Sequence, residues 1–289
     1  MTRTEHARAW FLRACELDVA VRKPGNVSLA SPGHGMQAAM FIASAQAAAG
    51  PLFEPGARVG ERIEAAVAAT WAVAGCNTNL GILLLCAPIA KAVEMRPEAQ
   101  VPAALQAAIE AVLADLDVAD AAAAYRAIAR ASPGGLGSAP SQDVQRPPSI
   151  DLRAAMALAA PRDRIARQYR DGFVDLFGFG LAALGEGFSL RCVAAPEAVP
   201  EAAVQRLYLR LLSHFADSHI VRKHGEAVAH IVMTAAQGWA ERAAHGQNPQ
   251  AGAEFVAWDE ALKLSRINPG TTADLTVATL MIAGLLAPP

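Results

Sequence analysis

The densest chemistry in the chain lies in nine residues, Asp217-Ser218-His219-Ile220-Val221-Arg222-Lys223-His224-Gly225. One carboxylate, two imidazoles and two cations stand there together. Helical spacing brings Asp217, Ile220 or Val221, and His224 near one face. An acid, a proton shuttle and phosphate-holding cations then share a small volume. The plainer reading is a solvated turn with an aspartate cap. Five ionisable groups around one glycine-ended turn favour chemistry.

Four other stretches carry similar signals. Arg22-Lys23-Pro24-Gly25-Asn26-Val27-Ser28 sets two cations before a Pro-Gly turn. Such a turn exposes N–H groups and an ammonium to phosphate, or simply closes a helix. Gly75-Cys76-Asn77-Thr78-Asn79-Leu80-Gly81 lies between strongly apolar helices. Thr78 or Asn79 serves there as a helix cap, but a single cap leaves the other polar side chains unexplained. Buried without partners, each costs roughly 1–3 kcal/mol, and a helix N-terminus beside carboxamides suits an anion or nucleotide. In Asn268-Pro269-Gly270-Thr271-Thr272-Ala273-Asp274-Leu275, a threonine caps the last helix and Asp274 sits in its first turn, where the helix dipole favours a carboxylate. Arg162-Asp163-Arg164-Ile165-Ala166-Arg167 offers an intrahelical Asp163–Arg167 pair or one face of a site, and composition does not decide between them.

These stretches need a scaffold, and the chain reads as all-α throughout. Hydrophobic residues make up 53% of its 289 residues, ample for a core. Apolar positions recur every three or four residues, and no alternating strand pattern stands out. The spacing predicts about twelve helices, over 4–21, 36–49, 59–75, 79–95, 99–114, 117–131, 150–160, 161–184, 198–214, 220–245, 251–264 and 272–286. Similar helices on both sides of the Gly/Ser/Pro-rich loop 132–149 argue for one domain spanning 1–289. A loop that long reads as a lid, a binding loop or a flexible connector.

Composition excludes several classes of function. Net charge is −2 with no basic tract, so nucleic acid is not an expected partner. The apolar runs at 80–90 and 275–287 fall short of a membrane span. The charged N-terminus is not a signal peptide. Cys15, Cys76, Cys86 and Cys192 form no Cys-x-x-Cys pair and read as reduced, buried thiols of a cytoplasmic protein. Walker, Rossmann, Gly-x-Ser-x-Gly and His-Glu-x-x-His signatures are absent. The alanine-rich helices suit packing within one chain or across a homodimer interface.

Taken together, KPGNVS (23–28), GCNTNLGILLLCAPI (75–89), SPGGLG (132–137), RDRIARQY (162–169), DSHIVRKHG (217–225) and NPGTTADL (268–275) resemble the triphosphoribosyl-dephospho-CoA synthase family, in the family's order and over nearly the whole chain. The resemblance implies an all-helical pentosyltransferase. In the family's reaction the acceptor's ribose 2′-hydroxyl attacks C1 of the ATP ribose, and adenine leaves. Some family features differ. The versions serving citrate and malonate lyases place His-x-Asp-Met after the KPG loop, where this chain has Gly33-His34-Gly35-Met36. They have Asn-Thr-His at 77–79 and Asp-x-Asn at 217–219. The chain is therefore similar to a divergent branch linked to pterin-based one-carbon metabolism.

Given that chemistry, residue type assigns expected roles to particular positions. Lys23, Arg222 and Lys223 hold phosphates, while Asn26, His34, Asn77, Thr78, Asn79 and Asn268 bind nucleotide groups. Asp217, His219, His224 and Asp274 form the catalytic set. Asp163, Asp217 and Asp274 are expected to hold Mg2+ with ATP as substrate. The partners are ATP and a nucleotide-type or cofactor-type acceptor, 3′-dephospho-CoA first. The rivals are an ATP-dependent transferase or ligase making a pterin- or furan-type one-carbon cofactor, and a non-catalytic helical nucleotide-binding protein.

Overall fold

A computed structural model describes residues 1–184, 200–247 and 249–286, with no statement about the Ala251 side chain. Cys192 and the first two residues of the expected helix 198–214 lie outside the described residues. Among those described there are fourteen α-helical segments and no strand. No helix among them is long and apolar enough to cross a membrane.

The central element is the last helix, α14 (Gly270–Leu286). Its residues are buried on every side, with Gly270 and Asp274 partly so, as for a helix in the middle of a core. Thr276 and Thr279 satisfy their hydroxyls on carbonyls four residues back, Thr272 O (2.8 Å) and Leu275 O (2.7 Å). Around α14 pack α1 (Arg3–Ala20), α4 (Leu80–Met95) and α10 (Glu201–His214). A Thr2–Glu5 capping box starts α1. The layer is extended by α2 (Ala38–Leu52) and α3 (Val59–Ala74) against each other, α5 (Pro102–Ala114) on α4, and α6 (Val118–Ala131) on α3.

The short helices α7 (Leu152–Ala159) and α8 (Arg164–Asp171) pack together beside α6 and α4. One polar contact explains how α8 docks. Pro88 lies inside α4 and has no N–H for the carbonyl of Leu84. The Tyr169 hydroxyl, from α8, donates to that carbonyl at 2.6 Å. A second, smaller core joins α10 to α11 (Ser218–His224), α12 (Glu226–Ala244) and α13 (Ala253–Leu264).

Two expected helices are broken. The span 161–184 ends α8 at Gly172 (φ 65°) and continues through Phe173 (φ 60°) into a π-turn, Leu176–Gly180, and the short α9 (Leu181–Leu184). The span 220–245 divides at Gly225 (φ 86°, ψ 166°) into α11 and α12. Left-handed backbone at a glycine ends a helix whatever the periodicity on either side. These breaks raise the count from the expected twelve.

Candidate active site

One cavity of about 760 Å³ is lined by the C-terminal end of α1 (Asp18), the turns at 26 and 34–36, residues 76–82, the loop 132–144, α7, the start of α8, α11, and residues 268–274. Its polar wall includes Asn26, His34, Asn77, Thr78, Asn79, Asp163, His219, Arg222, Lys223, Asn268 and Asp274. These residues, spread over almost 250 positions of sequence, were all expected in a site. Lys23, Asp217 and His224 are not on the wall.

The start of α14 aims Asp274 at the cavity. There the carboxylate makes no hydrogen bond or ion pair among the described residues. Burial pushes its carboxyl well above the usual carboxylate range; Asp18, Asp217 and Asp163 add to the rise and Arg222 opposes it. Space for Asp274 exists because residue 81 is glycine: a Cβ there would collide with the Asp274 carboxylate and meet Ile165 Cδ1 at 2.7 Å.

Beside Gly81, the first turn of α4 is built by its own asparagines. Asn77 Oδ1 accepts from Leu80 N at 3.1 Å, while the N-cap position itself is Asn79, whose side chain makes no cap bond. Thr78 Oγ1 donates to Ser44 Oγ at 2.7 Å, tying the turn to α2. Asn79 is left over: it is 4% exposed, on the cavity wall, and its buried Nδ2 has no partner. Buried amide hydrogens rarely go unpaired without reason.

On the opposite side, Asp217 fastens α11 to α14. Its Oδ1 accepts from His219 N (2.9 Å) and Ile220 N (3.1 Å), and its Oδ2 accepts from Thr272 N and Oγ1, both at 2.7 Å. Burial raises its carboxyl and these four donors pull it back. The carboxylate is saturated, so its task is to hold the site rather than to react. It sets His219, Arg222 and Lys223 against the cavity. His219 Nε2 is buried without a partner. Burial, followed by Lys223, Arg222, His34 and His224, pushes this imidazole down to about 3, so it is neutral. Arg222 Nη1 pairs with Asp163 Oδ2 at 3.0 Å, and its Nε reaches Gly134 O at 3.3 Å. Lys223 lies along Gly134 without an ion pair; burial and then Arg222 lower its ammonium. His224 turns away to Arg266 O.

The first turn is packed rather than open. Lys23 is fully buried, 2.7 Å from Asp18 Oδ1, and donates to Asn26 Oδ1. Gly25 N donates to Asp259 Oδ1 (2.9 Å) and Tyr208 Oη to Pro24 O (2.9 Å). His34 Nε2 is 2.7 Å from Gly25 O, and a carbonyl only accepts, so Nε2 carries the proton. Arg22 is occupied by Asp259 and Glu260.

The expected metal set does not form. Among the described residues no group of three or more His, Cys, Asp or Glu could hold a metal ion. The oxygens of Asp217 are filled, Asp163 caps α8 through Ile165 N and Ala166 N, and Asp274 favours its proton. These residues do not fit a protein-built magnesium cage.

Sequence reasoning assigned no site role to Asp18, Arg162 or the apolar wall of Leu84, Tyr125, Ile128, Leu152, Met156 and Ile165. The signal for Asp18 was a carboxylate among apolar neighbours on α1. The Arg162 side chain lines the cavity with no ion-pair or hydrogen-bond partner among the described residues. The loop 132–144 forms a wall, pinned at one end by Arg222 and at the other by Tyr125 Oη donating to Gln142 O at 2.9 Å.

Residues 4–288 match the ATP:dephospho-CoA triphosphoribosyl transferase family, CitG. The chain belongs to that family. The reaction named by the family moves the triphosphoribosyl group of ATP to dephospho-CoA, and the chain is a transferase of this kind. A crystal structure from Archaeoglobus fulgidus, described as a triphosphoribosyl-dephospho-CoA synthase, shares the fold with a TM-score of 0.62. It is 24% identical, over 84% of this chain and 97% of that one. No curated protein matches the chain.

Proposed function

We propose that this cavity performs the family's transfer, with Asp274 as its central acid. The observation that carries the reading is a set of unsatisfied groups facing one space: the Asp274 carboxyl, Asn79 Nδ2, His219 Nε2 and the unpaired cations Lys223 and Arg162. Cations and amide donors suit a polyphosphate and ribose hydroxyls. A protonated carboxyl suits a leaving base.

The proton balance closes on one residue. Asp274 gives its proton to the departing adenine as the C1′–N bond breaks. The carboxylate left behind faces the positive charge on the anomeric carbon and stabilises it. The acceptor hydroxyl then forms the new C1′–O bond, and its proton restores the Asp274 carboxyl. His219, neutral and unpartnered, orients that hydroxyl. Two unpaired cations leave a triphosphate undercompensated, so magnesium belongs with the incoming nucleotide, as part of the substrate MgATP.

The test is to incubate the protein with ATP, magnesium and dephospho-CoA and to follow free adenine. Adenine appearing with the triphosphoribosyl product supports the reading. Release of ADP or AMP would point to a ligase-type enzyme, and binding without turnover to a non-catalytic protein; either result overturns it.

A further inference from the structure

We propose that Lys23, acting through Asn26, orients Asn268 so that its amide N–H2 donates to a phosphoryl oxygen of ATP. The inference rests on the nucleotide reading of the cavity and adds a direction to one of its contacts. An asparagine side chain has an accepting end and a donating end of nearly the same shape. Which end faces a ligand is set by what holds the other, and here a lysine decides.

A lysine ammonium only donates. Lys23 Nζ contacts Asn26, so Asn26 must turn Oδ1 toward it. Asn26 then has only Nδ2 to offer Asn268, and it donates to Asn268 Oδ1 at 2.8 Å. Asn268 is thereby held by its oxygen. Its Nδ2 has no partner among the described residues, and the residue lines the cavity. A fully buried cation, itself 2.7 Å from the carboxylate of Asp18, thus fixes the polarity of a group two side chains away.

The ligand atom must accept a hydrogen bond and sit in positive potential. His34, against the same turn, is pushed down first by burial and then by the charges of Lys223 and Lys263, with the Gly25 carbonyl and Asp259 opposing. An anionic oxygen matches that field, and a phosphoryl group supplies it.

Binding of ATP and of inorganic tripolyphosphate, without acceptor, gives the test, each variant first checked for folding by circular dichroism. Asn268→Asp keeps the oxygen that Asn26 needs and replaces the donor with a charged acceptor. Both ligands should then bind at least tenfold more weakly. Asn26→Asp offers oxygen on both sides, so Asn268 must turn its nitrogen inward and show its oxygen to the cavity. It should also weaken ATP binding about tenfold in the native background, but less than threefold when Asn268→Ala is already present. Equal losses in both backgrounds would mean that the new charge repels ATP directly, and the relay falls. A loss for ATP with none for tripolyphosphate would overturn the phosphoryl assignment. Unchanged affinity in Asn268→Asp would end this inference alone, whereas native protein that binds neither ligand would end the functional reading itself.

Discussion

Two stretches of this chain look alike in sequence and end in opposite states. Arg22-Lys23 and Arg222-Lys223 are each a cation pair within two residues of a glycine. In the first, Arg22 is taken by Asp259 and Glu260, and Lys23 by Asp18 and Asn26. In the second, Arg222 shares itself between Asp163 and a loop carbonyl, and Lys223 has no carboxylate among the described residues. The difference comes from what α1 and α13 deliver to each turn. Asp18 and Asp259 meet both cations of the first stretch, whereas Asp163 meets only Arg222 in the second. A phosphate-binding cation is one that the fold has left unpaid.

The largest test of that contrast is Lys23→Met. If Lys23 is scaffold, its loss leaves Asp18 buried without a counter-charge. Removing one partner of a buried pair costs roughly 3–5 kcal/mol. Urea unfolding should show that loss. A variant of native stability would mean that Asp18 needs no counter-charge and that Lys23 is not scaffold.

Asp274→Asn comes next and should separate activity from stability. Adenine release should fall by about 10²–10³-fold, the worth of one preorganised charge-stabilising group. The melting temperature at pH 7 should rise. Burial raises this carboxyl, so the folded state binds its proton more tightly than the unfolded chain does. The group therefore favours folding only below the ordinary carboxylate range and costs stability as pH climbs through its raised value. Asparagine removes that cost. Full activity in the variant would exclude Asp274 as the acid.

Lys223→Ala should be milder. Loss of one charge-assisted contact weakens ATP binding roughly tenfold, about 1.5 kcal/mol, with little change in unfolding. Calorimetric titration measures the first and thermal unfolding the second. If Lys223→Ala destabilised the protein as Lys23→Met does, the two cation pairs would not differ as described.

Much of the fold was legible because helical periodicity and caps are local. The Asp117 cap of α6 and the apolar run of α4 needed no knowledge of their neighbours. The breaks at Gly172 and Gly225 were harder to see, since a glycine inside a periodic pattern ends a helix only when its backbone goes left-handed. For the site, residue type pointed to the right turns but not to the right jobs. Asp217 and Asp274 are equally acidic in sequence, and only the position of Thr272 makes the first a saturated tether. Thr78 and Asn79 are adjacent polar residues, yet Ser44, on α2, satisfies Thr78 and leaves Asn79 facing the cavity. Satisfaction of a polar group depends on distant chain, and periodicity carries no information about that.

The smallest effect at neutral pH belongs to His219, and it extends the comparison to a group that the free cations themselves act on. Burial and the charges of Arg222 and Lys223, with His34 and His224 behind them, hold its imidazole at about 3, against an ordinary value of 6.5. The unfolded chain therefore binds a proton here below pH 6.5 that the folded protein refuses until about 3. Stability from this site is intact at pH 7, declines as pH falls through 6.5, and has been lost in full by about 3. His219→Gln cannot bind that proton in either state, so its stability should fall less steeply with acid while matching native protein near neutrality. Chemical denaturation at pH 7.5, 6 and 5 would show the two curves separating. Adding Lys223→Ala to native protein should relieve part of the depression and narrow the gap, since Lys223 is the strongest of the charges opposing protonation. Parallel curves for native protein and His219→Gln across that range would mean that neither burial nor charge holds the imidazole down, whereas a gap left unchanged by Lys223→Ala would mean that Lys223 is screened from His219 and has no claim to be an uncompensated charge.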